Sequence, residues 1–357
     1  MKLRDLVADL PYLLDTRGNM DVEIGELASG SKDRTKNGLF FCIVGARFDA
    51  HEYAWEAVDN GCVALMVEHY VELDVPQVRV CNGRAAMSRI AMAFYGYPSR
   101  KLKMIGITGT KGKTTTTYLL KSILEKSGLK CGLIGSTGSM IGTKHLEGKL
   151  TTPDPIDLQS MLRRMVDEGV EAVCMEVSAH AIDMSRLDGM VFDVGCYTNL
   201  SQDHLDYFYT MERYFETKKR FFTEGMILNA AVNADDETAA QLTEDIRTPL
   251  VTYGIVVNAD VFARDIEITE NGVNFSMQMQ GMDALPISMK MTGMFNVYNA
   301  LAAGSCALTL GIDPEYIQKG LEDVASVPGR IEMLQTGTNF KVILDYSHAP
   351  EALRNIL

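Results

Sequence analysis

The stretch Gly106-Ile107-Thr108-Gly109-Thr110-Lys111-Gly112-Lys113-Thr114-Thr115-Thr116-Thr117 decides the fold. It follows the apolar run Met104-Ile105, which with Ile107 reads as a buried strand. It leads into Tyr118-Leu119-Leu120-Lys121-Ser122-Ile123-Leu124, which reads as a helix. Strand, glycine-rich turn and helix form the setting in which backbone amides wrap a polyphosphate. The turn needs glycine because a Cβ would hold the amides away from the phosphate oxygens. Lys113 offers a point charge to the outer phosphates, and the Thr114 hydroxyl offers a ligand to Mg²⁺. The strict P-loop spacing is not met: the position five before Gly112 wants glycine and holds Ile107, with Gly106 and Gly109 as the available glycines. A glycine-rich turn that binds nothing is the bland alternative, and Gly-Lys-Thr between a strand and a helix weighs against it. The expectation is an enzyme that uses a nucleoside triphosphate.

Outward from this turn, strand and helix alternate. Strands are expected at Met104 to Ile107, Val170 to Val177, Asp193 to Thr198 and Met226 to Val232, and helices at 113–127, 157–168, 211–222 and 296–310. This alternation predicts an α/β fold with a doubly wound, mostly parallel sheet and ligands at the carboxyl ends of its strands. Residues 255–292 break the alternation and read as antiparallel strands, an edge extension of the sheet. Upstream, Gly38 to Gly45 and Val63 to Val67 read as strands, and Tyr53 to Asn60 and Ala85 to Tyr95 as helices. Gly96-Tyr97-Pro98-Ser99 marks a boundary. The expected domains are therefore 1–98, 99–330 and 331–357. The last begins after Pro328-Gly329-Arg330 with the strand Phe340 to Asp345 and runs into a helix. One strand and one helix cannot bury their own apolar faces, so this segment reads as the opening of a third domain.

The 357 residues suffice for two or three domains, and 46% hydrophobic with 23% charged residues is ordinary for a globular protein. A net charge of −13 disfavours nucleic acid as a partner. The seven cysteines contain no Cys-x-x-Cys, which fits reduced thiols in a cytoplasm rather than a disulfide frame or a zinc site. No signal-peptide core and no membrane-spanning run is present: Lys2, Arg4, Asp5 and Asp9 interrupt the apolar residues at the start.

Two polar groups sit where the doubly wound rule places a ligand. Glu176 ends the apolar strand Val173-Cys174-Met175, and His204 lies in the loop that follows Thr198. A carboxylate and an imidazole beside a polyphosphate suggest a metal cluster, whereas a solvated loop with a capping Asp203 and a structural His204 is the competing reading. Lys218, within Tyr214-Phe215-Glu216-Thr217-Lys218-Lys219-Arg220, reads from composition alone as part of a solvated basic helix face.

Together the motifs resemble the Mur ligases, ATP-dependent amide-bond-forming enzymes of bacterial cell-wall synthesis, and most closely their tripeptide-forming branch. The resemblance rests on Gly106 to Thr115, Thr151-Thr152-Pro153-Asp154-Pro155, Glu176-Val177-Ser178-Ala179-His180-Ala181 and Thr198 to Tyr207. It continues through Tyr214 to Lys218, Phe295-Asn296-Val297-Tyr298-Asn299-Ala300, Pro328-Gly329-Arg330-Ile331-Glu332 and Asp345-Tyr346-Ser347-His348-Ala349-Pro350. Their order covers the chain from about residue 30 onward.

The resemblance implies a first domain that binds a UDP-linked substrate, a central ATP-binding domain and a third, ligase domain present only in part. It implies that ATP phosphorylates the D-glutamate γ-carboxylate of UDP-MurNAc-L-Ala-D-Glu and that a diamino acid, L-lysine or meso-diaminopimelate, attacks the acyl phosphate. Gly109, Thr110, Lys111, Gly112, Lys113, Thr114, Thr115, Asn296, Asn299, Arg330 and Asp345 match ATP contacts. Ser31, Thr151, Thr152, Ser178 and Arg186 match contacts to the UDP substrate. Thr114 and Glu176 match ligands of a first Mg²⁺, and Glu176, His204 and Lys218 those of a second. Lys218 matches a lysine carbamylated by CO₂, which turns a cation into an anion and overturns the solvated-face reading. The matched catalytic set is Lys113, Glu176, His204 and Lys218. Gly30-Ser31-Lys32 replaces the family's usual Asp-Ser-Arg, and Met184 stands where a polar residue is usual. The expectation is a cytoplasmic monomer without membrane or nucleic-acid partners. Competing readings are a related ligase for another carboxylate, of the folylpolyglutamate or cyanophycin type, and a substrate-binding fragment without turnover.

Overall fold

The computed structural model describes residues 1–45, 48–146, 150–334 and 342–346, and it divides into two compact units. The first comprises Met1–Ser99 with Pro153–Arg164 and Asp183–Met190. Its sheet contains β1 (Leu13–Arg17), β2 (Glu26–Ala28), β3 (Gly38–Phe41), β4 (Cys62–Val67) and β5 (Gln77–Val80), in the order β1-β5-β4-β3-β2. The β2-β3, β3-β4 and β4-β5 pairs are parallel, and β1 closes one edge antiparallel. Side chains alternate across the sheet. Leu39, Phe41, Ala64, Met66 and Val78 pack with Leu3 and Leu6 of α1 (Leu3–Val7) and Ile90 of α3 (Gly83–Phe94). Phe40, Leu65 and Val67 pack on the other side with Ala54 and Ala57 of α2 (Ala54–Asp59). Apolar residues at consecutive positions are thus what a sheet covered on both faces requires. The strand expected at Gly38 to Gly45 ends at Phe41, and the sequence reading missed β1, β2 and β5.

The second unit comprises Arg100–Thr152, Met165–Ile182 and Val191–Leu357. Its strands are β6 (Lys103–Thr108), β7 (Cys131–Gly135), β8 (Gly138–Ile141), β9 (Lys144–Leu146), β10 (Ala172–Glu176), β11 (Val194–Tyr197), β12 (Ala230–Asn233), β13 (Leu250–Gly254), β14 (Val261–Thr269), β15 (Gly272–Met279) and β16 (Leu285–Met289). They form one sheet in the order β16-β15-β14-β13-β12-β11-β6-β10-β7-β8-β9. From β14 to β7 every pair is parallel, and both ends are antiparallel. The extension expected within 255–292 is observed as β14 to β16. The β7-β8-β9 meander at the opposite edge was not anticipated. Among the described residues β17 (Glu332–Leu334) pairs antiparallel with β18 (Val342–Leu344), a shorter strand than the one expected over Phe340 to Asp345. The helix expected after it and the end of the Asp345 to Pro350 motif lie outside the described residues.

The helices from α4 onward are α4 (Lys113–Lys126), α5 (Pro155–Asp167), α6 (Ala179–Asp183), α7 (Leu205–Phe208), α8 (Met211–Thr223), α9 (Ala239–Asp245), α10 (Met294–Thr309) and α11 (Pro314–Asp323). Ile105 and Ile107 of β6, Leu119, Leu120 and Ile123 of α4, and Ala300, Leu301, Ala303 and Cys306 of α10 share one core. Small residues let the helices approach closely. A Cβ at Gly320 of α11 would lie 2.4 Å from the Ile123 Cα of α4, and the Ser122 hydroxyl donates to the Gly320 carbonyl at 2.8 Å. β6 has β10 on one side and β11 on the other, so the chain reverses its direction of growth beside it. That reversal opens a crevice at the carboxyl end of β6, where the glycine-rich turn begins. Six cysteines are buried and Cys81 is exposed, all as free thiols. No helix among the described residues is long and apolar enough to cross a membrane.

Candidate active site

The turn after β6 is built by two glycines that no other residue replaces cheaply. Gly109 has φ +143° and Gly112 φ +85°. A Cβ at Gly109 would sit 1.9 Å from Thr198 Oγ1, and one at Gly112 2.5 Å from Asn299 Oδ1. The loop after β11 clasps the turn from the side. Thr198 Oγ1 donates to the Lys111 carbonyl at 2.7 Å, Asn199 Oδ1 accepts from the Lys111 amide at 2.9 Å, and the Thr110 amide donates to the Asn199 carbonyl at 2.8 Å. The turn opens directly into α4, whose N-terminus presents unpaired amides and the positive end of the helix dipole.

Two lysines converge on the turn. Lys113 Nζ donates to the carbonyls of Gly109 at 2.9 Å and Thr110 at 3.0 Å, and Lys218 Nζ of α8 donates to the same Gly109 carbonyl at 2.9 Å. Lys218 is 1% exposed, and its ammonium lies 4.4 Å from the Tyr214 ring centroid. Burial holds the Lys218 amine well below its ordinary value; Lys113 pushes the same way and Asp203 opposes. The solvated-face reading of Lys218 is thereby overturned: the apolar face of α8, with Tyr214, Phe215, Phe221 and Phe222, carries the lysine into the interior. Lys113 is lowered too, by loss of hydration first, with Glu176 opposing and Arg330 adding to the effect.

A cluster of hard oxygens lies beside the lysines. Thr114 Oγ1 and Ser136 Oγ are 3.0 Å apart, and Glu176 Oε1 accepts from the Ser136 amide at 2.8 Å and its hydroxyl at 3.1 Å. Glu176 is 1% exposed, and a Cβ at Gly135 would meet its carboxylate at 2.4 Å. Carboxylate and hydroxyl oxygens of this kind suit Mg²⁺, with water completing its shell. Arg330 Nη2 donates to Thr114 Oγ1 at 2.9 Å, so a cation at that hydroxyl would compete with the guanidinium for its lone pair. His204 takes φ +55°, its ring 4.9 Å from that of His180 in an edge-to-face contact. Partial burial lowers the His204 imidazole, Asp203 opposes, and Lys113 and Lys218 add to the lowering. A neutral imidazole can ligate a metal, whereas an ammonium at Lys218 cannot; the second cation set fits only after that amine has become an anion.

Lys113, Thr114, Ser136, Glu176, His204 and Arg330 line one cleft of about 820 Å³ within the second unit, whereas Gly109 and the buried Lys218 lie behind its surface. Its walls include Thr110 to Thr115, Thr151, Glu176, Ser178, His204, Asn296, Asn299, Arg330 and Asp345. Asn296 Nδ2 donates to the Thr292 carbonyl at 2.8 Å, and Asn299 Nδ2 to Asn296 Oδ1 at 3.1 Å, so Asn299 sits directly under the phosphate turn. Asp345 Oδ2 accepts from the Ile331 amide at 2.8 Å. Thr152 stands behind the wall: its hydroxyl donates to the Glu176 carbonyl at 2.8 Å and accepts from the Ser178 amide at 3.1 Å. Ser178 Oγ in turn accepts from the Ala181 amide at 3.2 Å and starts α6. Ser31 and Arg186 belong to the first unit. The Ser31 hydroxyl donates to Glu56 Oε2 at 2.6 Å, and Arg186 Nε faces Asp154 Oδ1 at 3.0 Å.

The sequence reading missed Ser136, Asn199, Asn233 and Asp236 among the lining residues. Ser136 was findable, since it directly follows an apolar strand that pairs with the strand bearing Glu176. The other side chains depend on where loops fold, and no local pattern marks them. Asp203 was considered only as a helix cap. It lines the cleft, its carboxylate 3.6 Å from Lys111 Nζ.

The Mur ligase middle domain family matches residues 107–307. The chain is 41% identical over 365 residues to a UDP-N-acetylmuramoyl-L-alanyl-D-glutamate--2,6-diaminopimelate ligase of Geobacillus thermodenitrificans, covering 100% of this chain and 74% of that protein. It is 39% identical over 362 residues to a protein of the same description, numbered 1, from Clostridium acetobutylicum, with 100% and 74% covered. Among solved structures, a UDP-N-acetylmuramoyl-L-alanyl-D-glutamate--2,6-diaminopimelate ligase superposes with a TM-score of 0.83 at 24% identity, covering 100% of this chain and 73% of the other. A Mycobacterium tuberculosis folylpolyglutamate synthase complexed with ADP gives 0.64 at 16% identity over 76% and 68% of the two chains. At such identities the structural likeness concerns the fold.

Proposed function

The chain belongs to the Mur ligase family, and from that premise we propose that it joins meso-diaminopimelate to the D-glutamate γ-carboxylate of UDP-MurNAc-L-Ala-D-Glu, at the expense of ATP, for peptidoglycan synthesis. A carboxylate at neutral pH is a poor electrophile, so its oxygen first takes the γ-phosphoryl group of ATP and ADP departs. The amine of the diamino acid then adds to the acyl carbon, and the tetrahedral intermediate expels inorganic phosphate with the C–O bonding pair. Two anions must meet in the first step, which demands positive charge between them. Lys113, the N-terminus of α4 and Arg330 supply it, while Lys111, Gly109, Gly112, Thr110 and Thr115 wrap the phosphates. Asn296 is assigned to the base side and Asp345 to the ribose, while Asn299 supports the phosphate turn from below. Thr151 and Ser178 serve the sugar-peptide from the cleft wall, Thr152 fixes the Ser178 amide from behind, and Arg186 and Ser31 of the first unit are assigned to the same UDP-linked substrate, Ser31 to its uridine end.

Thr114 and Glu176 would hold one Mg²⁺, and Glu176, His204 and modified Lys218 a second, which when bound would neutralise phosphate and carboxylate charge. Lys218, whose amine burial drives toward its neutral form, adds through its lone pair to CO₂ and loses a proton to become a carbamate. The observation that carries the reading is the buried Lys218 amine on the Gly109 carbonyl, beneath a cleft that holds both the phosphate turn and Glu176. We assign residues 1–98 to the UDP-substrate domain, joined by Pro153–Arg164 and Asp183–Met190 that pack in the same unit, the rest of 99–330 to the ATP domain and 331–357 to a third. We further infer that the protein acts as a monomer in the cytoplasm. Phosphate release measured with ATP, Mg²⁺ and UDP-MurNAc-L-Ala-D-Glu tests the proposal. Release is expected with meso-diaminopimelate and not with L-lysine; the opposite preference, or release supported only by a folate substrate, overturns it.

A further inference from the structure

We propose that Ser88 and Arg89 of α3, with Tyr12 and Asp188, are positioning residues that preset Arg186 for the UDP-linked substrate; the inference rests on the substrate role given to Arg186 above. The segment Asp183–Met190 belongs to the first unit although it enters the sequence far from α3. It is fastened to that helix at the Arg186 and Asp188 carbonyls and at the Asp188 carboxylate. Ser88, fully buried, directs its hydroxyl at both the Arg186 carbonyl, 3.1 Å away, and the Asp188 carbonyl, 2.9 Å away. Arg89 Nε donates to Asp188 Oδ2 at 2.6 Å, and Tyr12 OH donates to Asp188 Oδ1 at 3.0 Å.

The backbone is shaped to receive these contacts. Ser185 holds φ +55°, a conformation that costs a non-glycine residue free energy unless its surroundings fix it. Gly189 holds φ +87°, and a Cβ there would lie 2.6 Å from Arg89 Cδ and Nε, so the arginine packs in the space that the glycine leaves. Residues 185 to 189 are thus locked on both sides of Arg186. Its guanidinium is then presented against Asp154 at 3.0 Å and the Met184 sulfur at 3.6 Å. A guanidinium delivered at a fixed angle loses less entropy on gripping an anionic or polar substrate than one on a free loop.

The test is a double-mutant cycle on the intact chain, with affinity for UDP-MurNAc-L-Ala-D-Glu and for ATP measured by calorimetry and folding checked by thermal melts. Arg89→Ala is expected to weaken the UDP substrate about five- to tenfold and to leave ATP affinity unchanged. In an Arg186→Ala background the same change is expected to add nothing, and Arg89→Lys is expected to recover part of the loss. Should Arg89→Ala fail to fold, Tyr12→Phe, which removes only one hydroxyl, is expected to weaken the same ligand about twofold with the same lack of additivity. Unchanged affinity for the UDP substrate, or losses that simply add to that of Arg186→Ala, overturns the positioning role. If Arg186→Ala itself binds like the wild type, the substrate role of Arg186 fails first, and that result is read separately.

Discussion

Lys218 shows how far one side chain departs from its apparent character. Burial drives its amine toward neutrality, with Lys113 adding to the effect. In the folded protein the proton is lost at a lower pH than in the unfolded chain, which therefore binds more protons across the interval between the two values. Stability then rises with pH through that interval, up to the ordinary lysine value of 10.5, and the ammonium weakens the fold below it. Lys218→Met is accordingly expected to raise the melting temperature at neutral pH in CO₂-free buffer while lowering turnover at least about a hundredfold. In Lys218→Ala, small carboxylic acids are expected to restore part of the activity. Wild-type turnover in either variant would remove the lysine from the mechanism. From composition alone Lys218 looks solvated because Lys219 and Arg220 follow it, and the family resemblance is what marks it out in the sequence. The helical phase, with Tyr214, Phe215, Phe221 and Phe222 on the buried side, separates it from Lys219 and Arg220.

At the scale of elements, the glycine-rich turn and the parallel alternation were legible because each is a local pattern with a physical cause. The turn needs left-handed glycines, and β6, β10 and β11 need apolar runs because helices cover the sheet. The β8-β9 meander was not legible, since three- and four-residue strands at an edge carry no periodicity to read. The closeness of α11 to α4 was also invisible, because it rests on a single glycine whose partner is nearly two hundred residues away in sequence. Gly320→Val places methyl groups where the Ile123 backbone already lies. It is expected to cost about 2–3 kcal/mol, read as a lower midpoint in urea unfolding with the slope unchanged. A variant of undiminished stability would show that the two helices slide apart freely.

At the scale of the whole molecule, the sequence order of motifs gave the site its members before the fold gave it geometry. The phosphate turn, Glu176, His204 and Asn299 line one cleft because the parallel sheet gathers strand ends on one edge. Asn233 and Asp236 could not be foreseen, since their part in the lining depends on how β12 ends. A site assembled from so many elements couples ligand to folding. ATP with Mg²⁺ at about a hundred times its dissociation constant is expected to raise the unfolding free energy by about 2.7 kcal/mol, and chelation with EDTA is expected to remove most of that gain. A melting temperature indifferent to nucleotide would detach the cleft from the fold's stability.

The Gly109 carbonyl accepts from two lysines at once. Before nucleotide arrives, one oxygen therefore serves two lysine nitrogens at the mouth of a helix, the Lys113 charge opposing protonation of Lys218, and any small multivalent anion offsets that opposition. Sulfate and phosphate in ordinary laboratory buffers will thus act as competitors of ATP, and an affinity measured in phosphate-buffered saline will understate the one measured in a zwitterionic buffer.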